Sequence, residues 1–381
     1  MPFLMKQLFL TIVGLFLLLS GSAQSENTNN KSPYTFTKIK ENGAIDVENQ
    51  CKSGTCWSFA TISFLESEIL RTANKKIDLS EMFNVYHIYR QKADSYVRYQ
   101  GKQQFGPGGL SHDVLYVLDN YGLVPESAYR GLEAGNDVHD HGAMDVILEA
   151  SLKAVLENKL NTSGNGWKKN IDGILEANLG KAPESFEFEG KKYTPASFRD
   201  AMNLKASDFV NITSFNHHPF YSNFVLEVPD NWSKGAFYNV PLNELQQTID
   251  NAIDKGYTVS WDADVSEKGF SFEHGVAILP ADDVTKDQLF KQVVNEQAVN
   301  QNNRQDAFDQ FKTTDDHLMH IVGKAKDQNG NIYYITKNSW GTSNLFGGYQ
   351  YVSLNYFLMK TISITVHKNA VPDSIRSKAK I

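Results

Sequence analysis

Residues 49–59 read NQCKSGTCWSF, and the run continues to residue 72 as ATISFLESEILRT. Trp57, Ala60, Phe64 and, a turn later, Leu65 and Ile69 fall at helical spacing, so the pattern predicts a half-buried helix beginning at or near Cys56, with Gly54 and Thr55 marking its start. A thiol at a helix N-terminus sits where free backbone N–H groups and the helix dipole favour negative charge, so Cys56 is expected to have a lowered pKa and an available thiolate. Free cysteines are more often inert small hydrophobes, and the neighbours must decide. Gln50, six residues upstream, carries an amide that can donate to an oxyanion alongside the Cys56 backbone N–H.

Further out, a thiolate nucleophile needs an imidazole, and the imidazole needs an orienting acceptor. Asp316-His317-Leu318-Met319-His320 and Asn338-Ser339-Trp340-Gly341 supply both on adjacent predicted strands. Asn338 can accept from the ring, with Trp340 shielding that bond from water. His317 and His320 are three apart, so on a strand they face opposite sides.

The remaining elements set the fold class. A helix over Ser111–Tyr121 follows the Pro107-Gly108-Gly109 turn, two more lie within 138–178 on either side of NTSGNG, and residues 185–240 are mixed. An amphipathic helix over 242–254 leads into the strand YTVSWDA. Residues 281–312, rich in Gln and Asn, are expected as surface helix. HLMHIVGKA and NIYYITKN form a hairpin through residues 327–331, and GGYQYVSL and KTISITVH add strands. Helices first and an antiparallel sheet last predict an α+β protein rather than a doubly wound one.

Composition narrows the function classes. The 381 residues are 41% apolar and 21% charged, with a formal charge of −7 and no long basic run, which argues against nucleic acid as a partner. Two cysteines, Cys51 and Cys56, exclude a disulfide scaffold and a four-cysteine zinc site. Residues 1–23, MPFLMKQLFLTIVGLFLLLSGSA, read as a signal peptide cleaved after Ala23, because the apolar stretch Leu8–Leu19 is short for a membrane span. The mature chain is then expected to be exported, to periplasm or medium in a bacterium, with no membrane association after cleavage. Asp262-x-Asp264-x-Ser266 with Glu273 imitates a calcium loop but carries Glu267 where Gly is required. His139-x-His141 reads as a solvated face and His217-His218 as a loop, so no metal and no cofactor is expected.

The order Gln50, Cys56-Trp57, His317, Asn338-Ser339-Trp340-Gly341 resembles the papain-like cysteine peptidases. The resemblance implies a two-lobe fold, a helical lobe carrying the Cys and an antiparallel β lobe carrying His and Asn, acting on peptide substrates. It assigns the catalytic roles to Cys56, His317, Asn338 and Gln50, and selects His317 because the family's Asp-His and a Gly six residues on match Asp316, His317 and Gly323. Gly108 and Gly109 match its substrate-backbone segment, and Trp340 and Asp316 are placed beside the substrate. The family's usual cysteine three places before the nucleophile is Ser53 here, leaving Cys51 as an incidental thiol. Within the group the likeness is to the bleomycin hydrolase and aminopeptidase C branch. Cys56 and His317 are 261 residues apart, against roughly 130–150 in a plain papain-like enzyme. FEFEGKKYTPASF (186–198) and NVPLNELQQTIDNAIDKGYTVSWDADV (239–265) also resemble that branch. One peptidase domain over 24–381 is expected, with a large inserted subdomain and insertions at about 131–238 and 280–312. In that branch a C-terminal arm restricts the cleft to free N-termini; this chain stops at VPDSIRSKAKI, a truncated arm. Aminopeptidase, endopeptidase and inactive peptide-binding module are all left open, as is a homo-oligomer.

Overall fold

The computed structural model describes residues 32–132 and 136–381; the expected signal peptide, residues 1–23, lies outside them. Helix α1 (Cys56–Ala73) starts at the expected residue, but every side chain from Cys56 to Ile69 is buried, not one face alone. The polar positions on its second face are satisfied internally: Ser58 Oγ donates to the Glu81 carbonyl at 2.8 Å, Glu66 accepts from the Leu79 N–H at 2.9 Å, and Ser63 Oγ meets His320 Nδ1 at 2.9 Å. Buried polar groups are tolerated when so partnered. Around α1 pack α2 (Glu81–Arg98), capped by Ser80, α3 (Ser111–Asn120) and the strand that carries His320. Helices α4 (Gly142–Glu157), α5 (Gly166–Leu179) and α6 (Pro195–Ala201) follow, and their apolar residues join the same cluster as Trp57 and Phe64. Residues 142–201 are therefore packed on to the α1 lobe.

Eleven of the described strands form one sheet. In spatial order it runs β5 (Asn223–Val225), β6 (Ala236–Asn239), β4 (Phe209–Thr213), β13 (Thr361–His367), β7 (Val259–Ala263), β10 (His317–Asp327), β11 (Ile332–Lys337), β12 (Tyr349–Ser353), β9 (Val276–Ala277) and β8 (Phe270–Ser271). The strand β1 (Phe36–Glu41) pairs with the far half of β10, and β2 (Phe186–Phe188) with β3 (Lys191–Tyr193) forms a separate hairpin. Pairing is antiparallel except for β4 with β6 and β9 with β12. The β10–β11 hairpin lies where the sequence predicts it.

Alternation along β10 puts Leu318 into the helix-side cluster and Met319 and Ile321 into a second cluster under α7 (Leu242–Asp254), α9 (Leu354–Lys360) and α10 (Asp373–Ala379). The expected surface helix over 281–312 is confined to α8 (Gln301–Asp309), which begins where Asn300 caps its first N–H groups; the preceding residues form turns. Among the described residues no helix is long and apolar enough to cross a membrane.

Candidate active site

The loop before α1 brings Gln50 into place. Its backbone N–H donates to the Ser339 carbonyl at 2.8 Å, and its Oε1 accepts the Ser339 hydroxyl at 2.7 Å. With Oε1 occupied, Nε2 is the end left to donate. Cys56, as the first residue of α1, has a backbone N–H without an intrahelical acceptor. Ser53, at the position of the missing cysteine, pairs its hydroxyl with Thr55 at 2.6 Å, and both cysteines are free, Cys51 in a left-handed conformation with φ 52°.

His317 opens β10 and Asn338 follows β11, one hairpin apart. His317 Nε2 lies 2.8 Å from Asn338 Oδ1, and Asn338 Nδ2 donates to Gln350 Oε1 at 2.7 Å, which fixes the amide with its oxygen toward the ring. Nδ1 is the nitrogen that remains for a thiol. Trp340 stacks on the His317 ring at 4.5 Å between centroids and is edged by Phe270 and Phe272. The Leu318 backbone N–H, next along β10, faces the Cys56 thiol.

Burial pushes the Cys56 thiol up to about 12, and the charges of Asp315, Asp230 and Asp262 push it the same way, against the Leu318 N–H. Burial also pulls the His317 imidazole down to about 4, against its Asn338 bond and the Asp316 charge. The lowering expected from the helix terminus is thus outweighed while each group is charged alone. Moving the thiol proton to the ring creates opposite charges side by side, and each then offsets the other's burial.

A model of the Peptidase C1-like family matches residues 16–380 of this chain. The chain belongs to this family. Aminopeptidase G of Lactobacillus delbrueckii subsp. lactis is 24% identical over 368 residues, 85% of this chain and 81% of that protein. Aminopeptidase C of Listeria monocytogenes is 22% identical over 392 residues, covering 91% and 85%. The crystal structure of PepW from Lactobacillus rhamnosis superposes with a TM-score of 0.71 at 18% identity, covering 93% of this chain and 87% of that one. The fold is that of the papain-like peptidases, in the bleomycin hydrolase and aminopeptidase C branch, and the protein is a cysteine-type peptidase.

In this peptidase the other predicted residues take specific places. The Asp316 carboxylate accepts from Thr314 Oγ1 at 2.8 Å and from the Ser266 and Val265 N–H groups at 3.0 and 3.2 Å, so it clamps the end of β7 to the start of β10. Gly109 lies against Trp57, where a Cβ would come within 3.1 Å of the indole. A Cβ on Gly108 would collide with the Asp230 carboxylate, which also accepts from Gln104 Nε2 at 3.1 Å. His320, on the other face of β10, is fully buried against Ser63 and Phe64.

One reading changes, and the loop reading of His217 and His218 stands. His139 and His141 are not a solvated face: residues 139–141 pair through their backbone with Lys52, His141 is buried at the start of α4, and burial pulls both rings down to about 4. His217 and His218 share the Glu227 carboxylate at 3.1 and 2.7 Å. Gln305 accepts the Asn216 N–H on Oε1 and directs Nε2 at His217 Nδ1, so in the neutral ring the proton sits on Nε2, facing Glu227, and that nitrogen has no lone pair for a metal. Asp230 and Asp262 are the residues that sequence reasoning missed, together with their grouping around Asp315. Asp262 and Asp315 each precede or follow a recognisable strand end, but their approach to Asp230 is a long-range contact with no local signal.

Proposed function

We propose that the protein is an exported aminopeptidase that hydrolyses peptide bonds through Cys56, His317 and Asn338. The observation that carries this reading is the 2.8 Å bond from His317 Nε2 to Asn338 Oδ1 beneath Trp340, which leaves Nδ1 as the ring nitrogen free to take a proton from the thiol. The Cys56 sulfur attacks the scissile carbonyl carbon while its proton passes to Nδ1. The oxyanion is received by the Cys56 backbone N–H and Gln50 Nε2. As the C–N bond breaks, Nδ1 returns the proton to the leaving amine. Water then adds to the thioester carbonyl, giving its proton to Nδ1, and the acid and the free thiol are restored. The aminopeptidase assignment draws on the names of the relatives and on Asp230, which covers Gly108 in the segment where an extended peptide would run on.

The test is cleavage of a fluorogenic peptide with a free N-terminus against its acetylated form, with Cys56→Ala as control. Cleavage of the free form alone, lost in Cys56→Ala, is expected. Equal cleavage of both makes the enzyme an endopeptidase, and activity surviving in Cys56→Ala removes the mechanism. Export rests on residues 1–23, and N-terminal sequencing of protein recovered outside the cytoplasm should begin at Gln24.

A further inference from the structure

We infer that the carboxylates of Asp230 and Asp315, the latter backed by Asp262, bind the N-terminal ammonium of the substrate. This rests on the aminopeptidase reading and names the residues that would impose it. Asp262 lies opposite Leu318 in the β7–β10 register, and the Leu318 N–H faces the Cys56 thiol, so the acidic group begins one strand away from the nucleophile. Asp315 lies two residues before His317, and its carboxylate faces both the Asp262 carboxyl and the Asp230 backbone N–H. Asp230 closes the group from the other lobe, its carboxylate resting on Gly108.

The group is short of a partner. Asp262 is 1% exposed and its Oδ1 receives no hydrogen bond; Asp315 Oδ2 is buried and equally without a donor. Two carboxylates facing each other share one proton, and the pair then retains one negative charge. The groups acting on this pair are Asp230, Asp316 and the Ser363 hydroxyl, none of them a cation. Lys92, whose Nζ donates to the Gly106 and Gly108 carbonyls, lends its charge to Asp230 and Asp113, so Asp262 and Asp315 are the members of the group left without a cation. A primary ammonium supplies what is missing: three N–H donors and a positive charge. In an aminoacyl substrate that ammonium is about 2.5 Å from the carbonyl carbon under attack, which ties recognition of the chain end to the reacting bond. An acetylated terminus carries neither the charge nor the donors.

The experiment needs no turnover. Cys56 is alkylated with iodoacetamide in the full chain, with Cys56→Ala identifying the adduct, and the rate is compared in the presence of leucinamide and of N-acetyl-leucinamide. Leucinamide at ten times its Kd is expected to slow alkylation about tenfold. The acetylated compound should leave the rate unchanged. In Asp315→Asn and Asp230→Asn the Kd for leucinamide should rise roughly tenfold or more, the loss of one charge-assisted contact; a native circular-dichroism spectrum with cooperative unfolding shows that the variants are folded, and their alkylation rate without ligand should not fall, because the charges removed are ones that hold the thiol protonated. Equal protection by both compounds, protection by neither, or full protection in both variants overturns the assignment. Loss of peptide cleavage with these results intact would overturn the peptidase mechanism instead.

Discussion

At the scale of single residues, Asn338 has the most direct consequence. Its Oδ1 holds His317 Nε2 and its Nδ2 is held by Gln350, so Asn338→Ala frees the ring to turn. We expect kcat to fall roughly 10- to 100-fold, in the range of a displaced general base, with KM little changed. The pH profile carries a second readout. The His317 ring, pulled down by burial to about 4, accepts the thiol proton only when neutral, so kcat/KM should be half-maximal near pH 4 and drop below it. The Asn338 bond raises that value, and its removal should move the acid limb to lower pH. Gly109 gives a steric prediction: Gly109→Ala sets a methyl 2.9 Å from Asp113 Oδ2 and 3.1 Å from the Trp57 ring, both in dense packing. It should cost about 1–3 kcal/mol in urea unfolding.

At the scale of elements, the start of α2 lies in an acidic collar. The Glu126 N–H donates to the Asp78 carbonyl, and Leu79 pairs with Pro125, so Glu126 and Asp78 are held together beside the first turn of the helix. Burial, with the Asp78 charge, pushes the Glu126 carboxyl up to about 7, against Arg130. A raised carboxyl stabilises the fold at low pH and loses that contribution as pH climbs from its unfolded value through 7. Glu126→Gln should match the parent near pH 4 and exceed it at pH 8 by up to about 3 kcal/mol in denaturant unfolding, the scale of such a shift at a side chain 23% exposed.

This scale also shows what the sequence discloses. The start of α1, the two helices on either side of NTSGNG and the β10–β11 hairpin were legible because period, turn residues and caps are local. Helix α2 was not, because its apolar residues are interleaved with Tyr86, His87 and Tyr89, all buried, so no polar face reveals the period. The Gln- and Asn-rich run before α8 looks helical by polarity alone, whereas its backbone pairs through Pro280 and Glu296. Gln50, Cys56, His317 and Asn338 were legible by residue type and order. Asp230 was not, because what defines it is contact with Gly108 across 122 residues of chain.

At the scale of the whole molecule, Arg304 joins parts that no local pattern connects. It is fully buried on α8, and its guanidinium donates to the carbonyls of Ser214, Leu358 and Thr361, binding the helix to β4, α9 and β13. Arg304→Leu leaves three buried acceptors without donors. The global unfolding free energy should fall by about 3 kcal/mol or more, as a shift of the urea midpoint, while Lys312→Ala on the exposed end of the same region should change it little.

The twofold tie between Gln50 and Ser339 spans 289 residues. Contacts so distant along the chain form late, because the entropy of closing the loop must be met before they reward it. During synthesis Cys56 emerges long before His317 and before the residue that orients Gln50. The nascent chain therefore carries an ordinary thiol, and proteolytic competence arrives in one step, when the last hairpin closes on the first loop. Timing of assembly thereby protects the unfolded neighbours of a newly made copy.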